Sequence, residues 1–249
     1  MTGTETERSA AREAAAGGSA KRAYVQRMFS DIAPSYDMLN RVLSMGVDRS
    51  WRREAVRALN WARRRDGLYL DLCAGTLDVS ALLASRRGFG GRVLAADFAE
   101  PMLRSGRGKG PAGRIFPVVA DALTLPVADG SCDGALVAFG IRNVTDLGAA
   151  LREVLRALSP GSRFVILEFS TPSSSPMRAL YHFYFHHVLP MIGRTVSGHP
   201  TAYQYLPESV AHFPEGAVLA DRMRSAGYVN VSWRPLTMGI AALHVGERA

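Results

Sequence analysis

Leu68-Tyr69-Leu70-Asp71-Leu72-Cys73-Ala74-Gly75-Thr76-Leu77-Asp78 is the stretch on which the fold turns. Leu68–Leu72 has the apolar, strand-like character of a buried β-element, and the small residues that follow let a ligand approach the backbone. A helix beginning after such a loop presents free N–H groups at its N-terminus. Working outward, four more short apolar runs predict strands at Arg92–Ala96, Ile115–Ala120, Gly134–Phe139 and Phe164–Phe169. Helical windows lie between them, among them Leu147 to Leu158, which stops at a Ser159-Pro160-Gly161 turn. Strands alternating with helices predict βαβ units, a parallel sheet and an α/β fold.

Downstream the rhythm changes. Residues 172–213 are rich in Pro, Ser and aromatics, and are expected to form an insert ahead of a helix from about Glu215 to Ser225. Tyr228–Trp233 and Gly239–Val245 are close enough to pair as an antiparallel hairpin. Upstream, residues 1–20 offer no large apolar anchor and are expected to be a disordered tail. Residues 21–65 read as a helical cap. One helix runs from Tyr24 until Pro34 interrupts it, a second passes through Met38, Leu39, Val42 and Leu43, and a third spans Trp51 to Leu59 with Arg52, Arg53 and Arg57 facing water. The main domain is then 66–249.

In a doubly wound sheet, ligands sit outside the carboxyl ends of the strands. Asp97 stands at the second strand end, roughly 20 residues past the first loop, where a carboxylate accepts hydrogen bonds from ribose hydroxyls. The G-x-G-x-x-G of a dinucleotide fold is absent. The third strand ends at Asp121-Ala122 and the fourth at Ala138-Phe139-Gly140-Ile141-Arg142-Asn143. Polar or small residues therefore mark four successive strand ends.

The 249 residues are 47% apolar, enough for a full core, and carry 30 basic against 22 acidic groups for a net +8. The excess is scattered in short clusters such as Arg63-Arg64-Arg65, without a long basic tract, so no nucleic-acid partner is expected. Cys73 and Cys132 lack paired spacing, which argues against a disulfide framework and a thiolate metal site. His182, His186, His187 and His199 lack Asp or Cys partners at ligand spacing, so no metal is expected. With no signal-like leader and no apolar run of about 20 residues, the expected location is cytoplasmic, with any membrane contact peripheral. A basic surface suits an anionic cofactor or an anionic membrane face.

Longer motifs carry a resemblance. Phe29-Ser30-Asp31-Ile32-Ala33-Pro34-Ser35-Tyr36-Asp37, with Leu39-Asn40 and Trp51-Arg52, is similar to the entry segment of the demethylmenaquinone and 2-polyprenylbenzoquinol C-methyltransferase family. Phe139-Gly140-Ile141-Arg142-Asn143-Val144-Thr145-Asp146 and Leu167-Glu168-Phe169-Ser170 resemble its internal motifs. His187-Val188-Leu189-Pro190, Tyr203-Gln204-Tyr205-Leu206, Glu208-Ser209 and Gly239-Ile240-Ala241-Ala242-Leu243-His244 resemble its tail, so the likeness covers about residues 24–247. It implies a Rossmann-like class I methyltransferase: a seven-stranded, mostly parallel sheet with an antiparallel last strand, helices on both faces and an N-terminal helical cap.

The resemblance further implies S-adenosyl-L-methionine as cofactor, contacted by Thr76, Asp97, Asp121 and Ala122, with Asp71, Gly75 and Ala138 in the same strand-end set. Two positions depart from the pattern. Leu77 replaces the last glycine of G-T-G-D and is expected to crowd the cofactor or resist a positive φ; Ala138 replaces a serine. The implied substrate is a prenylated quinol, or another aromatic or polyketide-like acceptor if the chain has diverged. A silent paralogue serving as a partner in a biosynthetic complex is the non-enzymatic alternative that these departures leave open. A homodimer is compatible with the sequence.

For ring methylation, Arg142 would stabilise a phenolate or orient a water, Asn143 would orient the ring oxygen, and Tyr36 would belong to a lid. A capping or salt-bridging arginine, and simple packing of Tyr36, are the alternatives. The aromatic insert, with Tyr181, Phe183, Tyr184, Phe185 and Leu189, reads either as an apolar channel for a prenyl tail or as a helix covering the sheet.

Overall fold

The computed structural model describes residues 11, 13–15, 21–34, 36–38, 44, 46–172, 175–183 and 202–249. Its helices are α1 (Lys21–Ile32), α2 (Asp48–Ala58), α3 (Asp78–Ala84), α4 (Glu100–Ser105), α5 (Leu147–Ala157), α6 (Ser175–Phe183), α7 (Ala202–Ala211) and α8 (Gly216–Ser225). Its strands are β1 (Leu68–Leu72), β2 (Arg92–Asp97), β3 (Ile115–Val119), β4 (Gly134–Ala138), β5 (Arg163–Phe169), β6 (Val229–Leu236) and β7 (Ala241–Glu247). They form one seven-stranded sheet in the order β3-β2-β1-β4-β5-β7-β6. The first five strands are parallel, and β7 runs antiparallel to both β5 and β6.

The expected strands recur within one to three residues of their observed bounds. The reason is burial on both faces. Alternate residues of the central strands enter opposite cores: Tyr69, Leu136 and Val165 pack with Trp51, Leu59 and Leu83, whereas Leu70, Val137 and Ile166 pack with Leu151, Val154 and Met223. Central parallel strands consequently read as unbroken apolar runs. The edge strands β3 and β6 are mostly exposed and hold fewer buried side chains. Asp146 starts α5, its Oδ1 accepting from Ala149 N at 2.9 Å.

Three expectations change. Within the segment read as a disordered tail, residues 11 and 13–15 are helical, and Ala14 and Ala15 pack against Val25, Met28 and Tyr205. Alanines fit where a helix meets another closely, and this contact does not require a large anchor. Second, Arg52 does not face water: only 11% of its side chain is exposed, because Asp48 and Asp78 draw it inward at 2.5 and 3.2 Å. Third, of the helical stretch expected through Met38, Leu39, Val42 and Leu43, only Met38 lies within the described residues.

Candidate active site at the strand ends

The loops after β1 and β4 are held in contact by backbone that most residues avoid. Cys73, Gly75 and Leu77 after β1, and Phe139 after β4, all have positive φ. Left-handed backbone costs a non-glycine residue roughly 1–2 kcal/mol, and such strain concentrates at functional sites. At Gly140 a Cβ would overlap that of Cys73, so only glycine lets the two loops meet. Leu77 takes φ 66° and turns its side chain into the core against Ala95 and Leu103. It neither refuses the conformation nor projects from the loop, contrary to the expectation.

Between the strand tips lies a cavity of about 30 Å³ walled by Leu72 and Cys73 from β1, Asp97 and Phe98 from β2, Asp121 and Ala122 from β3, and Asn143 to Thr145 beyond β4. The expected residues Asp97, Asp121, Ala122 and Asn143 are thus brought together. Asp97 is buried, its Oδ2 accepting from Gly75 N and its Oδ1 from Ala99 N, each at 2.8 Å. Burial pushes its carboxyl upward from the usual range, and backbone N–H groups oppose that shift. Each oxygen keeps a further lone pair for a ligand hydroxyl. Asn143 Oδ1 is buried without a hydrogen-bond partner among the described residues. A buried acceptor of this kind fits a site completed by a ligand donor.

The other expected residues lie outside that wall. Asp71 is behind the loop, where its Oδ2 accepts from Ser80 N at 2.9 Å and Ser80 Oγ at 2.6 Å; burial raises its carboxyl to about 7. Thr76 Oγ1 donates to Asp37 Oδ1 at 2.5 Å. Ala138 is paired with Leu167 in the sheet and packs toward the Trp51 core. Tyr36 stacks edge-on to Phe29 at 6.0 Å and packs beside Ala33, Ala99 and Met102.

Arg142 sits just behind Asn143 and is buried. Nη1 donates to Glu168 Oε1 at 2.8 Å and to Phe139 O at 2.5 Å, while Nε donates to Ser209 Oγ at 3.3 Å. The guanidinium lies over the Phe169 ring at 5.5 Å. The salt-bridging alternative is therefore real, but the bridge is interior rather than on the surface. Of the five N–H donors on a guanidinium, those on Nη2 meet no acceptor among the described residues. Glu168 is 1% exposed, and burial pushes its carboxyl up while Arg142 pulls it down. The Tyr181 and Tyr205 hydroxyls are buried near this charge pair, with burial pushing Tyr205 up to about 12.

Helix α1 crosses the strand ends. Lys21 Nζ donates to Arg142 O at 2.9 Å, Arg22 pairs with Asp121 at 3.0 Å, and Gln26 Nε2 donates to Phe98 O at 3.1 Å. Sequence reasoning did not single out Lys21, Arg22, Phe98 or Glu168. Glu168 had a signal, a lone acidic residue inside an apolar strand; the α1 residues had none. His186, His187, His199, Tyr184, Phe185 and Leu189 fall outside the described residues, as does the His182 side chain.

A doubly wound sheet closed by an antiparallel β7, with its cavity at the switch between β1 and β4, defines a class I methyltransferase fold. Residues 18–248 match the ubiE/COQ5 methyltransferase family model, and the chain belongs to that family. A demethylmenaquinone methyltransferase of Thermus thermophilus is 47% identical over 89% of this chain and 100% of its own length. A ubiquinone/menaquinone biosynthesis C-methyltransferase of Geotalea daltonii is 45% identical over 90% of this chain and 96% of its own. Among solved structures, a SAM-dependent methyltransferase of Thermotoga maritima shares the fold at TM-score 0.60 and 17% identity, covering 90% of this chain and 99% of that one.

Proposed function

We propose that this methyltransferase moves a methyl group from S-adenosyl-L-methionine to a ring carbon of a prenylated quinol, converting demethylmenaquinol to menaquinol or acting on the equivalent benzoquinol. The observation that carries the reading is the fixed, buried Arg142 guanidinium close to the strand-end cavity, whose Nη2 makes no hydrogen bond among the described residues. When bound, the sulfonium cofactor supplies an electrophilic methyl. Asp97 would take the ribose hydroxyls, Asp121 and Ala122 the adenine, and Gly75 with Thr76 the close backbone approach. Asp71 and Ala138 support the loops without reaching the cavity described above.

A quinol carbon becomes a good nucleophile when a neighbouring hydroxyl, with a pKa near 10, gives up its proton to water. The carbon that takes the methyl then loses its own proton to water, leaving the methylated quinol and S-adenosylhomocysteine. Arg142, held by Glu168, stabilises the resulting phenolate with a charge that needs no reorganisation. Asn143 orients the ring oxygen. Helix α1 and Tyr36 act as a lid, which makes 21–65 a cap over the domain at 66–249. Leu77 and Ala138, the two departures that favoured a silent paralogue, both turn away from the cavity and lose that force. Among the described residues no helix is long and apolar enough to cross a membrane, so access to a lipid-tailed quinol would be from the membrane surface. Exposed Arg49, Arg53 and Arg57 on α2 suit an anionic leaflet.

The test is transfer of a labelled methyl group to prenylated naphthoquinol, prenylated benzoquinol and unprenylated phenols. Label on the ring carbon of a prenylated quinol is expected. Cofactor binding without transfer to either prenylated quinol would reject the acceptor, and absence of cofactor binding would reject the enzyme.

A further inference from the structure

The tail motif Tyr203-Gln204-Tyr205-Leu206 has no part in the chemistry above. On α7, Tyr205 and Ser209 stand four residues apart and so share a face. Ser209 Oγ accepts from Arg142 Nε at 3.3 Å, which turns that face toward the Arg142–Glu168 pair. Tyr205 is 1% exposed, its ring 5.7 Å from that of Tyr24 and packed with Val25 and Met28 of α1, the helix read above as a lid. A phenylalanine would make all of these ring contacts.

The hydroxyl is what packing does not explain. Two other buried tyrosines each find a carbonyl: Tyr69 donates to Arg64 O at 2.8 Å and Tyr228 to Leu151 O at 2.9 Å. The Tyr205 hydroxyl has no hydrogen-bond partner among the described residues. Burying an unpaired hydroxyl costs stability, a cost that an acceptor on a ligand would remove. Both α1 and α7 pack on the turn Ile141–Asn143, which carries two more unpaired groups, the Nη2 donors of Arg142 and the Oδ1 acceptor of Asn143. Two donors and one acceptor match a quinol that has lost one proton. Its ionised oxygen takes hydrogen bonds, and its remaining hydroxyl gives one. The charges of Arg142 and Glu168 and the Tyr24 hydroxyl all act on Tyr205, but burial dominates and holds its pKa up at about 12. It therefore meets an anion as a donor and keeps its proton.

We propose that Tyr205 is a catalytic residue of the ring methylation: its hydroxyl donates to the ionised quinol oxygen beside Arg142, while Asn143 Oδ1 accepts from the hydroxyl that is still protonated. The assignment rests on the acceptor reading above. The quinol proton goes to water, as there, and none leaves Tyr205.

Labelled methyl transfer to prenylated naphthoquinol by the purified full chain, followed from about pH 6 to 10 around the phenol range, tests it. Tyr205→Phe should lower kcat about 10–100-fold at neutral pH, the size of one lost hydrogen bond to a charged group. The acid limb of the pH–kcat profile should move upward by about one to two pH units, because the bound quinol ionises less readily without the donor. The loss should close as pH rises past that limb. Since the variant removes an unpaired group, its melting temperature should be unchanged or higher, whereas Tyr228→Phe, which breaks a bond already made, should melt lower with normal kcat. Unchanged kcat in Tyr205→Phe, a loss equal at every pH, or one that tracks a lowered melting temperature would overturn the assignment and leave the ring as packing. An effect confined to KM would overturn it too, by placing Tyr205 in ground-state binding alone. Wild type that methylates neither prenylated quinol would reject the acceptor reading itself, and the assignment with it.

Discussion

Two ion pairs stand at the strand ends, one lining the cavity and one behind it, and they are built for opposite behaviour. Arg142–Glu168 has side chains 7% and 1% exposed, closed by Phe139 O, Ser209 and the Phe169 ring. Arg22–Asp121 has side chains 61% and 29% exposed, and its arginine comes from a helix that is not part of the sheet. A buried pair cannot open without leaving a charge in low dielectric, whereas an exposed pair is worth about 0–1 kcal/mol. The first therefore serves as a permanent charge. The second is a contact that a ligand can displace.

The largest effect should come from breaking the permanent pair. Glu168→Ala is expected to lower unfolding free energy by about 3–5 kcal/mol, because Arg142 is left charged and uncompensated. Glu168→Gln keeps the shape and should cost less. Denaturant unfolding followed by circular dichroism reads both, and losses under 1 kcal/mol would place this pair in the same class as Arg22–Asp121. Next comes Arg142→Ala, expected to cut turnover about 10²-fold or more with cofactor affinity nearly intact. Arg142→Lys should recover little, since an ammonium cannot bond Phe139 O and Glu168 and still offer a planar pair of donors. Normal turnover in either variant would leave Arg142 as a structural arginine.

The difference between the two pairs also explains what was legible in the sequence. Strand positions, sheet class and the four strand-end loops follow from local apolar runs and from small or polar residues after them, so Asp97, Asp121, Ala122 and Asn143 could be named together. Partners set by tertiary approach could not. Arg22 and Lys21 sit on a helix whose pattern says only that Val25 and Met28 are buried. Arg52 lies among arginines that do face water, and Asp78 of α3, together with Asp48 of its own helix, turns it inward. Leu77 shows the limit from the other side: the missing glycine was visible, but not that the core would take up its side chain. Leu77→Gly is accordingly expected to relieve roughly 1 kcal/mol of backbone strain while losing more in burial. The result is net destabilisation of about 1–3 kcal/mol with little change in cofactor affinity. Tighter cofactor binding would show that the leucine crowds the site after all.

The smallest effect belongs to the displaceable pair. In Arg22→Ala the guanidinium no longer lines the cavity or pairs with Asp121. Stability should change by less than about 0.5 kcal/mol, since Lys21 and Gln26 still hold α1 to Arg142 O and Phe98 O. Cofactor affinity should rise about two- to threefold, because binding no longer has to break an ion pair of a few tenths of a kcal/mol. The gain should fade as salt is raised from about 0.05 to 0.5 M, where screening has already weakened the pair in wild type. Calorimetry with S-adenosylhomocysteine at the two salt concentrations measures this. An affinity loss of about tenfold would mean that Arg22 touches the bound cofactor, and the exposed pair would then belong to the site's permanent machinery alongside Arg142 and Glu168.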